Sequence, residues 1–346
     1  MARWWVLIRL ALALQALAVG CSASNVQIPS GAPQKIPRVA YLSPGARALQ
    51  TQVTDAFLTG LGELGYVEDQ NLDLRYWFVD DVGKPVSDVA ADLVRESPDV
   101  IVALGAARVA AAKQATETIP IVMAQVADAV EAGLVASLAR PAGNVTGTSS
   151  VTGELAAKRL DILTRAVPTV SRVAVLSTPQ WTVANSPADL QWRGVQQAAN
   201  DLRIEVRLVE VRGQRRSPET IAAVEQAIEN AAADGAEAIY PLSDALFDAL
   251  RSSIASASLQ AGLPSIYRRQ DFVEVGGLMS YGSNMPDEFR RIAYYVDRIL
   301  KGANPRDLPV SLPTRFDFAI GAGTAAALQI TIPDSVLAQV TRVISQ

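Results

Sequence analysis

Residues 38–65 read R-V-A-Y-L-S-P-G-A-R-A-L-Q-T-Q-V-T-D-A-F-L-T-G-L-G-E-L-G, and they contain the unit from which the rest of the chain is built. Arg38–Leu42 is a short apolar, β-forming run ended by Ser43, Pro44 and Gly45. Gln50–Leu64 then places apolar residues at helical spacing and stops at Gly65. Strand, turn, helix and stop, repeated, predict a parallel sheet covered on both faces, because a strand re-entering a sheet in the same direction needs a crossover, usually a helix.

The rhythm continues. Asn71–Phe78 precedes a helix over Val86–Arg95, Asp99–Leu104 one over Ala106–Thr116, and Ile119–Ala124 one over Val130–Ala139, giving four strands of a first lobe. Arg140–Ser150 is rich in turn formers and reads as a crossing. A second lobe follows, opened by a helix over Gly153–Ala166. Its strands are Arg172–Ser177, Arg203–Val211, Ala236–Leu242 and Pro264–Tyr267, with helices over Pro187–Leu202, Pro218–Ala233 and Ala245–Ala261. Gly277–Gly282, a helix over Pro286–Leu300 and an extended Leu308–Ile320 fit two later crossings. The expected division is 38–148 with 278–310 for the N-terminal lobe and 149–277 with 311–346 for the C-terminal lobe. No tandem repeat at a solenoid period occurs.

Upstream, Arg3 precedes an apolar run from Trp4 to Val19 broken only by Arg9 and Gln15. Residues 1–20 read as a secretory signal; the uncharged core Leu10–Val19 is shorter than the roughly 20 residues that span a bilayer. Cys21, the single cysteine, follows Ala18-Val19-Gly20 and resembles the lipobox of bacterial lipoproteins, with Ala18 where Leu is usual. The other reading is a chance thiol beside an ordinary cleavage site. A lone cysteine forms no intramolecular disulfide, so its position favours lipidation, and each buried acyl CH₂ adds about 0.8 kcal/mol of anchoring. Residues 21–37 are small, polar and Pro-rich, a flexible tether. The expected location is periplasmic or cell-surface, lipid-anchored to the membrane.

The remaining residues, about 310, suit two domains of roughly 150 each. Of 31 basic residues, Arg3 and Arg9 leave with the signal, so 29 face 35 acidic ones and the net charge becomes −6. Nucleic acid is therefore not an expected partner. The absence of histidine removes Ser-His-Asp and Cys-His catalysis and His-based zinc sites together. There is no phosphate-binding G-x-x-x-x-G-K-[ST] loop, G-x-S-x-G elbow or C-x-x-C pair. Gly60, Gly62 and Gly65 spell G-x-G-x-x-G, but at a predicted helix end, whereas the dinucleotide fingerprint needs a helix start. No catalytic residue, cofactor or metal site is expected.

What remains is a set of small, polar and aromatic residues at the C-terminal ends of predicted strands, where open α/β sheets bind ligands. In the first lobe they are Ser43, Pro44, Gly105, Ala106, Ala107 and Gln125 to Asp128; in the second, Ser177, Trp181, Asn185, Ser243, Asp244, Tyr267 and Arg268, with Tyr281 beyond. Ser43, Asp128 and Asp244 have an alternative reading as helix caps, and Trp181 as local packing.

Several stretches together resemble a known family: R-V-A-Y-L-S-P-G from Arg38, G-L-G-E-L-G-Y-V-E-D-Q-N-L from Gly60, A-A-K-Q-A-T-E-T-I-P-I-V from Ala111, and G-L-V-A-S-L-A-R-P-A-G-N-V-T-G from Gly133. K-R-L-D-I-L-T-R-A-V-P from Lys158, S-R-V-A-V-L from Ser171 and D-F-V-E-V-G-G-L-M-S-Y-G-S-N from Asp271 belong to the same set. They are similar to the bacterial solute-binding proteins of ABC transporters, in the family with tryptophan- and tyrosine-binding members, from Arg38 to Ile344. The resemblance implies a type I periplasmic-binding-protein fold: two doubly wound parallel-sheet lobes joined by three crossing segments and closing by a hinge. It implies Ser43, Gly105, Ala106, Asp128, Asn185 and Asp244 around the cleft. Members often carry G-D-P where this chain has Ala127-Asp128-Ala129, Asn-Pro near Ser177-Thr178-Pro179, and I-N-L-K-T-A at Ile320–Ala325.

The expected function is capture of an amino acid or related small solute and delivery to ABC transporter permease subunits. In that reading Asp128 or Asp244 faces a ligand ammonium, and Asn185 with backbone N–H groups of Gly105–Ala107 faces a carboxylate. The alternatives are a sensor reporting its ligand to a membrane receptor, and an exported enzyme working through carboxylates.

Overall fold

The computed structural model describes residues 35–44, 47, 51–214 and 217–345. The signal, Cys21 and most of the tether expected from the sequence lie outside the described residues. Five parallel strands, β1 (Arg38–Ser43), β2 (Asp73–Phe78), β3 (Val100–Leu104), β4 (Ile121–Ala127) and β5 (Val145–Ser150), form the first sheet in the order β2-β1-β3-β4-β5. Val39, Tyr41, Val102 and Leu104 meet the helices Thr51–Glu63 and Met285–Leu300 on one face. Ala40, Leu42, Ile101 and Ala103 meet Val86–Arg95 and Ala106–Ala115 on the other. With both faces covered, every residue of β3 is apolar and buried. The order reverses between β1 and β3, the place where doubly wound sheets open a ligand crevice.

The second sheet system begins with β6 (Arg172–Ser177), β7 (Glu205–Glu210) and β8 (Ala238–Pro241), parallel in the order β7-β6-β8. It continues through β9 (Ile266–Tyr267), β10 (Met279–Ser283), β11 (Phe316–Gly321) and β12 (Arg342–Ile344) in the order β12-β11-β10-β9. Ile239 N–H donates to Pro264 O at 2.9 Å and bridges Ser265, joining the two sets. Helices Thr152–Ala166 and Pro187–Leu202 cover one face, and Pro218–Ala233 with Arg251–Gln260 the other. The architecture is α/β with two doubly wound sheet systems.

Several expectations change. Val130–Ala139 forms turns rather than a helix. Its buried residues, Leu134 and Val135, are adjacent instead of helically spaced, and Lys113 Nζ satisfies the carbonyls of Gly133 and Leu134 at 3.1 and 3.0 Å. Val145–Ser150, read as crossing, is the fifth strand. Gly147, at φ 128°, lets the Met123 backbone approach so closely that a Cβ would stand 2.3 Å from its carbonyl oxygen. Ala245–Ala261 divides at Leu250 into Ala245–Ala249 and Arg251–Gln260. Gly60 and Gly62 lie inside the first helix and Gly65 beyond its end, at φ 89°.

Met279–Ser283 pairs antiparallel with Phe316–Gly321 in the second system, and only from Met285 does the chain pack on the first. The chain thus passes between the sheets around Val151, Asn284 and 311–315. We propose lobe boundaries there, in place of 148, 277 and 310.

At the base of the second sheet, Glu237 accepts from Ser171 N (2.7 Å), Ser171 Oγ (2.9 Å), Arg172 N (3.1 Å) and Arg172 Nη2 (3.1 Å). These donors, the Ser171 N–H foremost, pull its pKa from 4.5 to about 2. A depressed folded pKa contributes stability that is complete above 4.5 and is lost as pH falls toward 2. Glu237→Gln should therefore flatten the acid limb of the stability–pH curve in that window. An unchanged limb in denaturant titrations would remove Glu237 from the acid response.

Candidate functional site

The C-terminal ends of the first-sheet strands present mostly backbone. Ser43 is buried, and its Oγ donates to the Pro44 carbonyl at 3.3 Å. Gly105 adopts φ 77° and opens the helix Ala106–Ala115, which has no side-chain cap, so the N–H groups of its first turn are not claimed by a capping side chain. Arg108, three residues on, donates from Nε to Leu104 O at 2.7 Å, and burial lowers its pKa. This partly buried cation was not evident in the sequence, where it is one charge on an alanine-rich helix.

Gln125 and Asp128 occupy positive-φ positions, 53° and 44°, around an irregularity in the β4–β5 register. The Gln125 amide lies 3.9 Å from Met285 Sδ, on the helix that follows the second crossing. Asp128 Oδ2 accepts from Thr152 N at 3.2 Å, at the first crossing; burial pushes its carboxyl up, opposed by that bond. Both residues therefore touch crossing segments.

In the second system, Ser177 Oγ donates to the Thr178 carbonyl at 3.0 Å. Asp244 is occupied at both oxygens: Oδ1 caps Leu246 N at 2.7 Å and Oδ2 accepts from Thr178 Oγ1 at 2.9 Å. It holds two strand-end loops together, which matches its reading as a cap. Trp181 Nε1 donates to Glu210 Oε2 at 3.1 Å, the local packing role. Tyr267 is not at a surface: it is 1% exposed, stacks on Phe272 at 4.5 Å between centroids, and burial pushes its hydroxyl up to about 12. Arg268 Nη2 donates to Asp248 Oδ2 at 3.1 Å. Tyr281, half-buried on β10, stacks on Phe316 at 5.6 Å.

Asn185, exposed at φ 58°, accepts at Oδ1 from Arg193 Nη2 at 3.1 Å. The same nitrogen reaches Glu131, beyond β4, at 3.2 Å and Asp189 at 3.3 Å. An ion pair thus links the loop after β4 to the helix Pro187–Leu202. At this exposure its worth is below about 1 kcal/mol. Where the crossings meet, Thr148, Asn284, Glu288, Ser311 and Arg315 line a cavity of about 10 Å³, the scale of one water.

The structure therefore gathers Ser177, Asp244 and Asn185 at one sheet edge and Gly105, Gln125 and Asp128 at the other. It leaves Tyr267 in the core and ties Trp181 to Glu210. Among the described residues no group of three His, Cys, Asp or Glu is placed to hold a metal, and no helix is long and apolar enough to cross a membrane.

A family model described as ABC transporter substrate binding protein matches residues 46–344. The tyrosine-binding protein of Clostridioides difficile strain R20291 is 25% identical over 274 residues, which cover 79% of this chain and 75% of that protein. Among solved structures, a conserved domain protein from Vibrio cholerae superposes with a TM-score of 0.76 at 27% identity, covering 90% of this chain and all of that one. The ABC domain of Streptococcus pneumonia, solved with L-Trp, has a TM-score of 0.76 at 23% identity, covering 89% and 99%, and shares the fold.

Proposed function

The chain belongs to the ABC transporter substrate-binding protein family, and from that premise we propose that it captures an amino acid, an aromatic one foremost, between its two sheet edges and delivers it to an ABC importer. The observation that carries the amino acid is the similarity to the tyrosine-binding protein over 79% of this chain. The geometry agrees with it. The N–H groups of Ala106 and Ala107, at the uncapped start of a helix, offer hydrogen bonds to a ligand acceptor, and Asp128 offers a carboxylate to an ammonium. The Arg193–Glu131 pair is an element that closure of the edges brings together and opening separates. Closure follows only if the ligand binds the closed arrangement more tightly. Export and attachment through a diacylated Cys21 complete the proposal, supported by the apolar start and the position of the single cysteine.

Thermal denaturation of the purified protein with each common amino acid tests the ligand. Binding at a hundredfold excess over Kd adds about 2.7 kcal/mol of stability, so L-tyrosine or L-tryptophan should raise the melting temperature by several degrees. No shift with any amino acid overturns the reading.

A further inference from the structure

Behind the second-sheet edge lies a buried cation that no expected ligand residue includes. Arg159, in the middle of the helix Thr152–Ala166, is 2% exposed. Its Nε donates to Tyr240 Oη at 2.8 Å, and Tyr240 donates onward to Ala156 O at 3.0 Å. Nη1 and Nη2 have only long contacts, 3.5 Å to Tyr281 O and 3.5 Å to Gln191 Oε1. All three acceptors are neutral. A guanidinium carries five N–H donors, and burying it without a counter-charge is expensive. Tyr240, with its ring 5.7 Å from the cation, compensates only in part.

The contacts of Arg159 lead outward to the sheet edge. Gln191 is fully buried; its Oε1 accepts from Ser243 N at 2.7 Å, and its Nε2 donates to Pro187 O at 2.8 Å and Ser243 O at 3.4 Å. Ser243 follows β8, and Pro187 opens a 16-residue helix. Arg159 is therefore one side chain removed from the strand-end loop and from the start of that helix. In a low-dielectric interior its potential is weakly screened.

We propose that Arg159 is a positioning and specificity residue: through Gln191 it fixes the Ser243 loop, and its uncompensated charge makes the second-sheet side of the cleft select ligands bearing a carboxylate. The proposal rests on the reading of the cleft as a ligand site but names the group recognised there. An acid is preferred to its amide or to the corresponding amine.

The test measures affinities of the full chain for L-tyrosine, L-tyrosinamide and tyramine, and for simple carboxylic acids paired with their amides. Wild type should favour each acid by about tenfold or more. Arg159→Gln should weaken acid binding by about tenfold while amide affinity changes less than about twofold, and Arg159→Lys should restore most of the preference. Gln191→Glu, which sets a carboxylate against the guanidinium and neutralises it without removing it, should collapse the preference with the fold retained, as read by circular dichroism. Equal losses for acid and amide in both charge-altering variants would show a merely structural role and overturn the proposal, as would absence of acid preference in wild type. Preference for simple acids with no binding of amino acids would overturn the amino-acid reading and leave this one standing.

Discussion

Gly194→Ala lowers the stability of the second sheet system by about 3 kcal/mol or more, because the added methyl has nowhere to go. Gly194 lies on the helix Pro187–Leu202 where it crosses Thr152–Ala166 at Gly153. A Cβ there would stand 2.2 Å from Gly153 O, 2.7 Å from Gly153 C and 2.8 Å from Gly153 Cα. All three are backbone atoms, so no rotamer change relieves the clash and the helices must separate. Separation loosens Ala156, Leu160, Val195 and Ala199, which fill the core between them. Gly62→Ala is the matched control: it sits in a helix with nothing within 4 Å of its added methyl, and should stabilise by up to about 1 kcal/mol. Chemical denaturation of both decides it; Gly194→Ala within about 0.5 kcal/mol of wild type would contradict the close crossing.

Phe289→Ala should cost about 3–5 kcal/mol. Phe289 is 0% exposed and packs with Val39, Tyr41, Phe57, Val102 and Val122, the core of one face of the first sheet. Its helix, Met285–Leu300, reaches that face only after the chain has built β10 in the other sheet. The first sheet is thus completed by a segment more than 130 residues beyond β5, and its stability depends on the crossing being made. A loss under about 1 kcal/mol would place the helix outside the core.

Much of the fold was legible from local chemistry. Pro187–Leu202 and Pro218–Ala233 have the bounds expected from the sequence, because Ser186 and Ser217 accept from Asp189 N and Thr220 N and proline occupies the first helical position. β5 was not legible: Val145–Ser150 is built of small polar residues whose burial depends on the close approach of Met123. For the candidate residues, their place at the C-terminal strand ends was legible, but not which of their side chains are already engaged. Asp244 and Trp181 are held by Thr178 and Glu210, partners 66 and 29 residues away. Arg159, in K-R-L-D, looks like part of a solvated charged helix face, and among the described residues it is the largest fully buried side chain.

The sequence by itself determined the α/β class and the succession of strands and helices, and it pointed to the strand-end edges proposed here for the ligand. Those properties follow from hydrophobic period, caps and turns, which act across a few residues. Tertiary structure decided which sheet receives β10 and the helix after it, and which polar groups at the edges are already satisfied. A hydrogen bond or a buried charge is settled by its partner, and here the partners, Tyr240 for Arg159 and Thr178 for Asp244, come from distant parts of the chain.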